Sequence, residues 1–186
     1  MILVIDLCWK EDSLSKPEFV GPIADIVKSS GEQFRIVHHL SKDLKVGDEF
    51  NGIILCGTAL KDNEFRKNKH LFSIIKEIKL PVMGICAGMQ AVALAYGAKL
   101  AESYETGMNG IRIIKEDEVL GEKRTIQAYK LHGMRIVPGE EFIVLAESDK
   151  GLEAVRHSVM PVWGVLFHPE VRNEWVVRNF INYCSR

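Results

Sequence analysis

The stretch Pro81-Val82-Met83-Gly84-Ile85-Cys86-Ala87-Gly88-Met89-Gln90 constrains the fold of this chain more than any other. It reads as a buried strand that ends on a cysteine and turns at once into a helix of small residues. Gly84 and Gly88 flank Cys86 two positions away on each side, where a tight strand-to-helix turn crowds the backbone and glycine tolerates the close approach. Such a turn lifts its central side chain above the sheet edge and aims the next helix's N-terminus at it, as in a nucleophile elbow with Cys in place of Ser. Free N–H groups at that terminus favour thiolate over thiol. Alone, the pattern fits a merely packed cysteine equally well, because free Cys is among the most buried residue types.

A second motif adds to the first. Phe167-His168-Pro169-Glu170 follows another apolar run, Val162-Trp163-Gly164-Val165-Leu166. A thiol nucleophile needs a base, and the base needs an orienting group. Residues i and i+2 of an extended segment point to the same side, so the Glu170 carboxylate can reach the His168 imidazole.

Gly84-Ile85-Cys86-Ala87-Gly88-Met89-Gln90 together with Phe167-His168-Pro169-Glu170 resembles the class I (triad) glutamine amidotransferases, over nearly the whole chain. Stand-alone GMP synthase glutaminase subunits are the members nearest in size. The resemblance implies a Cys86-His168-Glu170 triad that releases ammonia from L-glutamine through a γ-glutamyl thioester, without a cofactor. It implies oxyanion donors from the N–H of Ala87 and from the loop Cys56-Gly57-Thr58-Ala59, with Thr58 at the donor position. Gln90 matches the family's substrate-binding glutamine, and Leu131-His132-Gly133-Met134 resembles the loop that grips the amino-acid end. His132 is open to a second reading, a hydrogen-bonded structural histidine. A synthetase subunit that accepts the ammonia is the implied partner. The chain departs from its relatives at Thr58, where they usually place a Gly-Pro-type turn, and at Leu166, where many carry Gln. It departs again at Asp6-Leu7-Cys8-Trp9, which lacks the signatures of the anthranilate and GMP synthase relatives.

The rest of the pattern agrees with an α/β fold. Met1 to Leu7 and Gly52 to Cys56 are continuous apolar runs, as strands buried on both faces should be, and Phe34 to Leu40 is a strand between them. Pro22 to Ser30 reads as a helix ended by Gly31, Trp9 to Val20 as a loop, and Asp62 to Lys79 as one helix with Leu71, Ile74, Ile75 and Ile78 in its core stripe. The charged back face of that helix (Lys67, Lys69, Lys76, Lys79) reads as solvated surface. Ala91 to Tyr96 reads as a short helix capped by Gly97. Alternating strands and helices imply a mostly parallel, doubly wound sheet whose sites lie at the carboxyl ends of the strands, where Cys86 falls. In the second half, Ile111 to Lys115, Ile126 to Lys130, Phe142 to Ala146, Leu152 to Arg156 and Val162 to Phe167 read as five short strands, which bring additional antiparallel strands to the sheet, and Asn173 to Cys184 as the last helix. No repeat or linker divides residues 1–186, so one domain is expected.

Composition excludes several classes. With 24 Lys plus Arg against 25 Asp plus Glu, no basic excess points to nucleic acid or to an anionic membrane. No apolar run reaches the ~20 residues of a membrane span, and the opening strand leaves no room for a signal peptide, so a cytoplasmic location is expected. The four cysteines have no C-x-x-C pair, which argues against a disulfide framework or a zinc site. Adjacent His38 and His39 would face opposite sides of a strand, a poor ligand geometry, so no metal is expected.

Rival enzymes are less consistent with these residues. Chaperone- and protease-like relatives of the fold place histidine directly after the cysteine, where this chain has Ala87. A cysteine-bearing α/β-hydrolase orders its triad nucleophile, acid, histidine, whereas here the acid follows the histidine. An autonomous γ-glutamyl hydrolase or peptidase would use the same triad. A regulatory subunit that has kept the fold is the non-catalytic alternative.

Overall fold

The computed structural model describes residues 1–186. Nine strands form a single sheet: β1 (Ile2–Asp6), β2 (Phe34–His38), β3 (Gly52–Leu55), β4 (Val82–Ile85), β5 (Lys99–Ile113), β6 (Arg124–Val137), β7 (Phe142–Ser148), β8 (Gly151–His157) and β9 (Val162–Val165). Their spatial order is β2-β1-β3-β4-β9-β8-β7-β5-β6. The first five in that order run parallel, and the last four are joined antiparallel. The sheet curls so far that the two halves meet: the His168 N–H, just past β9, donates to the Tyr129 carbonyl in β6 at 2.8 Å. Without that curl, β6 would be the far edge of the sheet, remote from β4.

Helices cover both faces of the parallel half, as the doubly wound expectation requires. On one face α2 (Gly21–Ser29) and α5 (Trp175–Cys184) bury Ile23, Val27, Val177 and Phe180 against Ile2, Val4, Ile54 and Met83. On the other, α3 (Lys69–Glu77) and α4 (Ala87–Ala95) bury Leu71, Ile75, Ala91 and Val92 against Leu3, Ile5, Leu55 and Val82. Strands β1, β3 and β4 are buried at every residue, which is why they read as unbroken apolar runs. No helix is long and apolar enough to cross a membrane.

Several boundaries differ from the sequence reading, each for a physical reason. The expected loop Trp9 to Val20 contains a one-turn helix, α1 (Lys16–Phe19), with Pro17 in its first turn, where a missing N–H costs nothing. The single helix expected over Asp62 to Lys79 is broken in two. A 3-10 turn (Glu64–Lys67) is followed by Asn68, whose side chain caps α3 by accepting from the Leu71 N–H at 3.0 Å. Helix α4 begins at Ala87, directly after Cys86, and not at Ala91.

The two short strands expected at Ile111 to Lys115 and Ile126 to Lys130 belong to a long ribbon, β5 and β6, of 15 and 14 residues. Much of the ribbon is half-exposed and polar, so it offers no apolar run to read. Leu131-His132-Gly133-Met134 therefore lies within strand β6 and is not a loop. His38 and His39 do not face opposite ways: β2 ends at His38, and the two rings sit 4.7 Å apart, both buried.

Candidate active site

Cys86 has φ +50° and ψ −102°, and Asn173 is the only other non-glycine residue with positive φ. A conformation this rare costs of order 1–3 kcal/mol and persists only where its surroundings enforce it. Here they do: the Cys86 N–H donates to Val165 O at 2.8 Å, which ties the elbow to β9. A Cβ added at Gly84 would run into the backbone of Gly88, and one added at Gly88 would run into the Leu55 carbonyl. Both glycines are thus required by backbone packing, because α4 starts directly against β3 and β4.

The curl of the sheet brings the other groups to the elbow. The Nδ1 atom of His168 is 2.7 Å from Glu170 Oε1. The Cys86 thiol and His168 Nε2 both approach the Leu131 carbonyl, at 3.5 and 3.4 Å. Cys86 therefore stands beside the local pair His168 and Glu170, which lies far from it in the chain. Burial alone would depress the His168 pKa. The neighbouring Cys86 sulfur and the Glu170 carboxylate outweigh it and hold the imidazole well above its ordinary value. At Cys8, Cys56 and Cys184 burial dominates: it pushes Cys8 and Cys184 up to about 12 and raises Cys56 well above the usual range.

Gly57 makes room for the imidazole, since a Cβ there would lie 2.8 Å from His168 Cε1. Next to it, Thr58 is held by a 2.6 Å hydrogen bond from its hydroxyl to Asp62 Oδ2, which also accepts from the Trp9 N–H at 3.2 Å. The Ala87 N–H, in the first turn of α4, has no acceptor inside the helix. A small pocket opens over the elbow, and Thr58, Ala87, Gln90, Leu131, His132 and Gly133 all line it with Cys86. Its remaining wall comes from Ala59 to Arg66, a stretch whose sequence pattern presents it as loop and core helix.

Two of these residues serve differently from the simplest expectation. The Gln90 side chain is already engaged at both ends, donating to Met134 O at 3.2 Å and accepting from Arg66 Nη2 at 3.1 Å. The His132 side chain is fully buried and its Nδ1 meets Ser103 O at 2.9 Å, so the imidazole belongs to the ribbon and the pocket meets the backbone. Burial lowers its pKa below the ordinary value, against an opposing pull from Glu105.

Beneath Leu131, the Lys130 ammonium is completely buried. It bonds to Glu105 at 3.0 Å, to the Ser148 hydroxyl at 3.1 Å and to Glu153. Neither this cluster nor Arg66 is marked by a sequence motif. Lys130 shares the inward register of β6 with the buried Ala128 and His132, a period-2 signal that the residue's charge disguises.

A family model described as "Glutamine amidotransferase class-I" matches residues 18–180. A glutamine-hydrolysing subunit of GMP synthase from Methanosarcina acetivorans is 33% identical, across 87% of this chain and 96% of its own length. The protein of the same name from Methanocaldococcus jannaschii is 33% identical, across 90% and 93%. Among solved structures, a candidate GMP synthase subunit from Thermoplasma acidophilum superimposes with a TM-score of 0.83 at 23% identity, covering 99% of this chain and 93% of that one. A glutamine amidotransferase from Thermotoga maritima gives 0.72 at 21% identity, with 99% and 82% covered.

Proposed function

Because this chain belongs to the class-I glutamine amidotransferase family, we propose that Cys86, His168 and Glu170 are the triad with which it hydrolyses the glutamine side-chain amide. The observation that carries the assignment is the meeting of a strained Cys86, at the N-terminus of α4, with an imidazole anchored 2.7 Å from a buried carboxylate. In this reading the Cys86 thiolate attacks the carboxamide carbon, and the oxyanion is held by the N–H groups of Ala87 and Thr58. The His168 imidazolium gives its proton to the departing nitrogen; the C–N bond breaks, ammonia leaves, and the acyl group stays on the Cys86 sulfur as a γ-glutamyl thioester. Water, losing a proton to the same imidazole, then attacks the thioester and releases glutamate and the thiolate. Glu170 fixes the ring's orientation and stabilises its charged form. Gln90 and the backbone of Leu131, His132 and Gly133 contact the amino-acid end.

The whole chain, residues 1–186, serves in this proposal as the amidotransferase domain of a two-component synthase. The names of its relatives support a partner that aminates a nucleotide, because each is described as a glutamine-hydrolysing part of GMP synthase. The experiment is to measure ammonia release from glutamine by the chain alone and with a co-purifying synthase and its substrates. In this proposal docking turns the Thr58 N–H toward the oxyanion, so we expect weak activity alone and a rise of about 100- to 1,000-fold in kcat with the partner, the worth of one oxyanion donor. A high kcat on glutamine or γ-glutamyl peptides that no partner changes would instead favour an autonomous γ-glutamyl hydrolase.

A further inference from the structure

Arg66 is the only lysine or arginine on the wall of the Cys86 cavity, and it makes no ion pair. The one carboxylate on the same wall, Asp62, is occupied by the Thr58 hydroxyl and the Trp9 N–H. Arg66 gives one Nη2 hydrogen to Gln90, while its Nε is buried without any hydrogen-bond partner. An unsatisfied buried donor is costly, and native structures rarely leave one without a purpose. A guanidinium presents Nε and a neighbouring Nη as a planar fork that matches a carboxylate with two parallel hydrogen bonds. Arg66 lines the same pocket as the nucleophile; burial lowers its pKa and the Cys86 sulfur pulls the other way.

We propose that Arg66 recognises the α-carboxylate of the substrate amino acid and so sets the specificity of the site. The assignment rests on the glutamine reading given above and adds to it a residue that the sequence motifs do not contain. The position follows from the break before α3: because Asn68 starts a new helix, the 3-10 turn carrying Arg66 leans over Gln90 and does not continue along the α3 axis. The same guanidinium orients Gln90, so ligand binding at Nε and the placement of the Gln90 amide are coupled through one planar group. A substrate with an amide but no carboxylate leaves the fork unpaired and is discriminated against.

The test uses the full chain with Cys86→Ala, which holds ligand without turnover. Calorimetry gives Kd for L-glutamine and for L-glutaminol, in which a hydroxymethyl group replaces the carboxylate. Glutamine is expected to bind at least about tenfold more tightly than glutaminol, the scale of a charge-assisted pair. Adding Arg66→Gln should weaken glutamine by about the same factor and glutaminol by clearly less, since glutaminol loses only the placement of Gln90. Arg66→Lys, which keeps the charge but loses the fork, should fall between the two. Equal weakening of both ligands would reduce Arg66 to a support for Gln90 and overturn the proposal, as would no change in either. If Cys86→Ala binds neither compound and a glutamine-analogue electrophile fails to label the wild type, the glutamine reading itself falls, and this assignment with it.

Discussion

The Nδ1 atom of His168 lies 2.7 Å from Glu170 Oε1, and each of the two side chains is 2% exposed. Shielded from water, the carboxylate holds the ring in one orientation and favours its protonated form. Burial opposes that form, and the Cys86 sulfur and Glu170 together reverse the effect. Because the folded value lies above the ordinary one near 6.5, the pair's contribution to stability is complete below that pH. It is lost as pH rises through the raised value.

The same sign governs catalysis. Glu170→Gln should lower kcat by about 100-fold or more, yet less than Cys86→Ala, because an orienting group contributes less than the attacking one. The alkaline limb of the kcat–pH profile should also move to lower pH, since one support of the imidazolium is gone. Steady-state ammonia release across pH measures both effects. An unchanged limb would remove Glu170 from its role.

Gly57→Ala tests the fit between the oxyanion loop and the base. The added methyl would stand 2.8 Å from His168 Cε1 and 3.3 Å from Phe19, so the ring must move. We expect kcat to fall at least about tenfold, since small misplacements of reacting groups are costly. Far-UV circular dichroism should remain that of the wild type. Full activity in this variant would show that the ring has slack that the packing denies.

Lys130→Met should destabilise the fold by about 3–5 kcal/mol, because it strands Glu105 and Glu153 without their shared cation. Urea denaturation reads this directly as a fall in midpoint. Lys130 adjoins Leu131, whose carbonyl meets both Cys86 and His168, so kcat is expected to fall as well. A variant as stable as the wild type would show the cluster to be dispensable.

Which features are legible in the sequence follows from their physics. The elbow can be read because steric demand at Gly84 and Gly88 leaves few residue choices, and strands β1, β3 and β4 because two-sided burial leaves only apolar ones. His168 and Glu170 can be read because their contact is local. The cavity wall from Ala59 to Arg66 is hidden, since its position depends on one side-chain cap at Asn68 that interrupts an otherwise helical pattern. The β5–β6 ribbon is hidden for a different reason. It is held by cross-strand pairing over thirteen residue pairs, from Lys99 with Val137 to Ile113 with Arg124, and buries too little to leave an apolar trace. The curl that delivers Tyr129 and Leu131 to the site is a property of the whole sheet, and no local pattern encodes it.

The most direct test of the central claim is covalent labelling by a glutamine-analogue diazo-ketone, followed by peptide mapping of all four cysteines. Only Cys86 combines an elbow, a helix N-terminus and an adjacent imidazole, while burial holds Cys8 and Cys184 near 12 and Cys56 well above its ordinary value. The expected result is one label per chain, on Cys86, that glutamine protects against and His168→Ala greatly slows. Label spread over Cys8, Cys56 and Cys184, or absent from Cys86 with the partner present, would contradict the assignment.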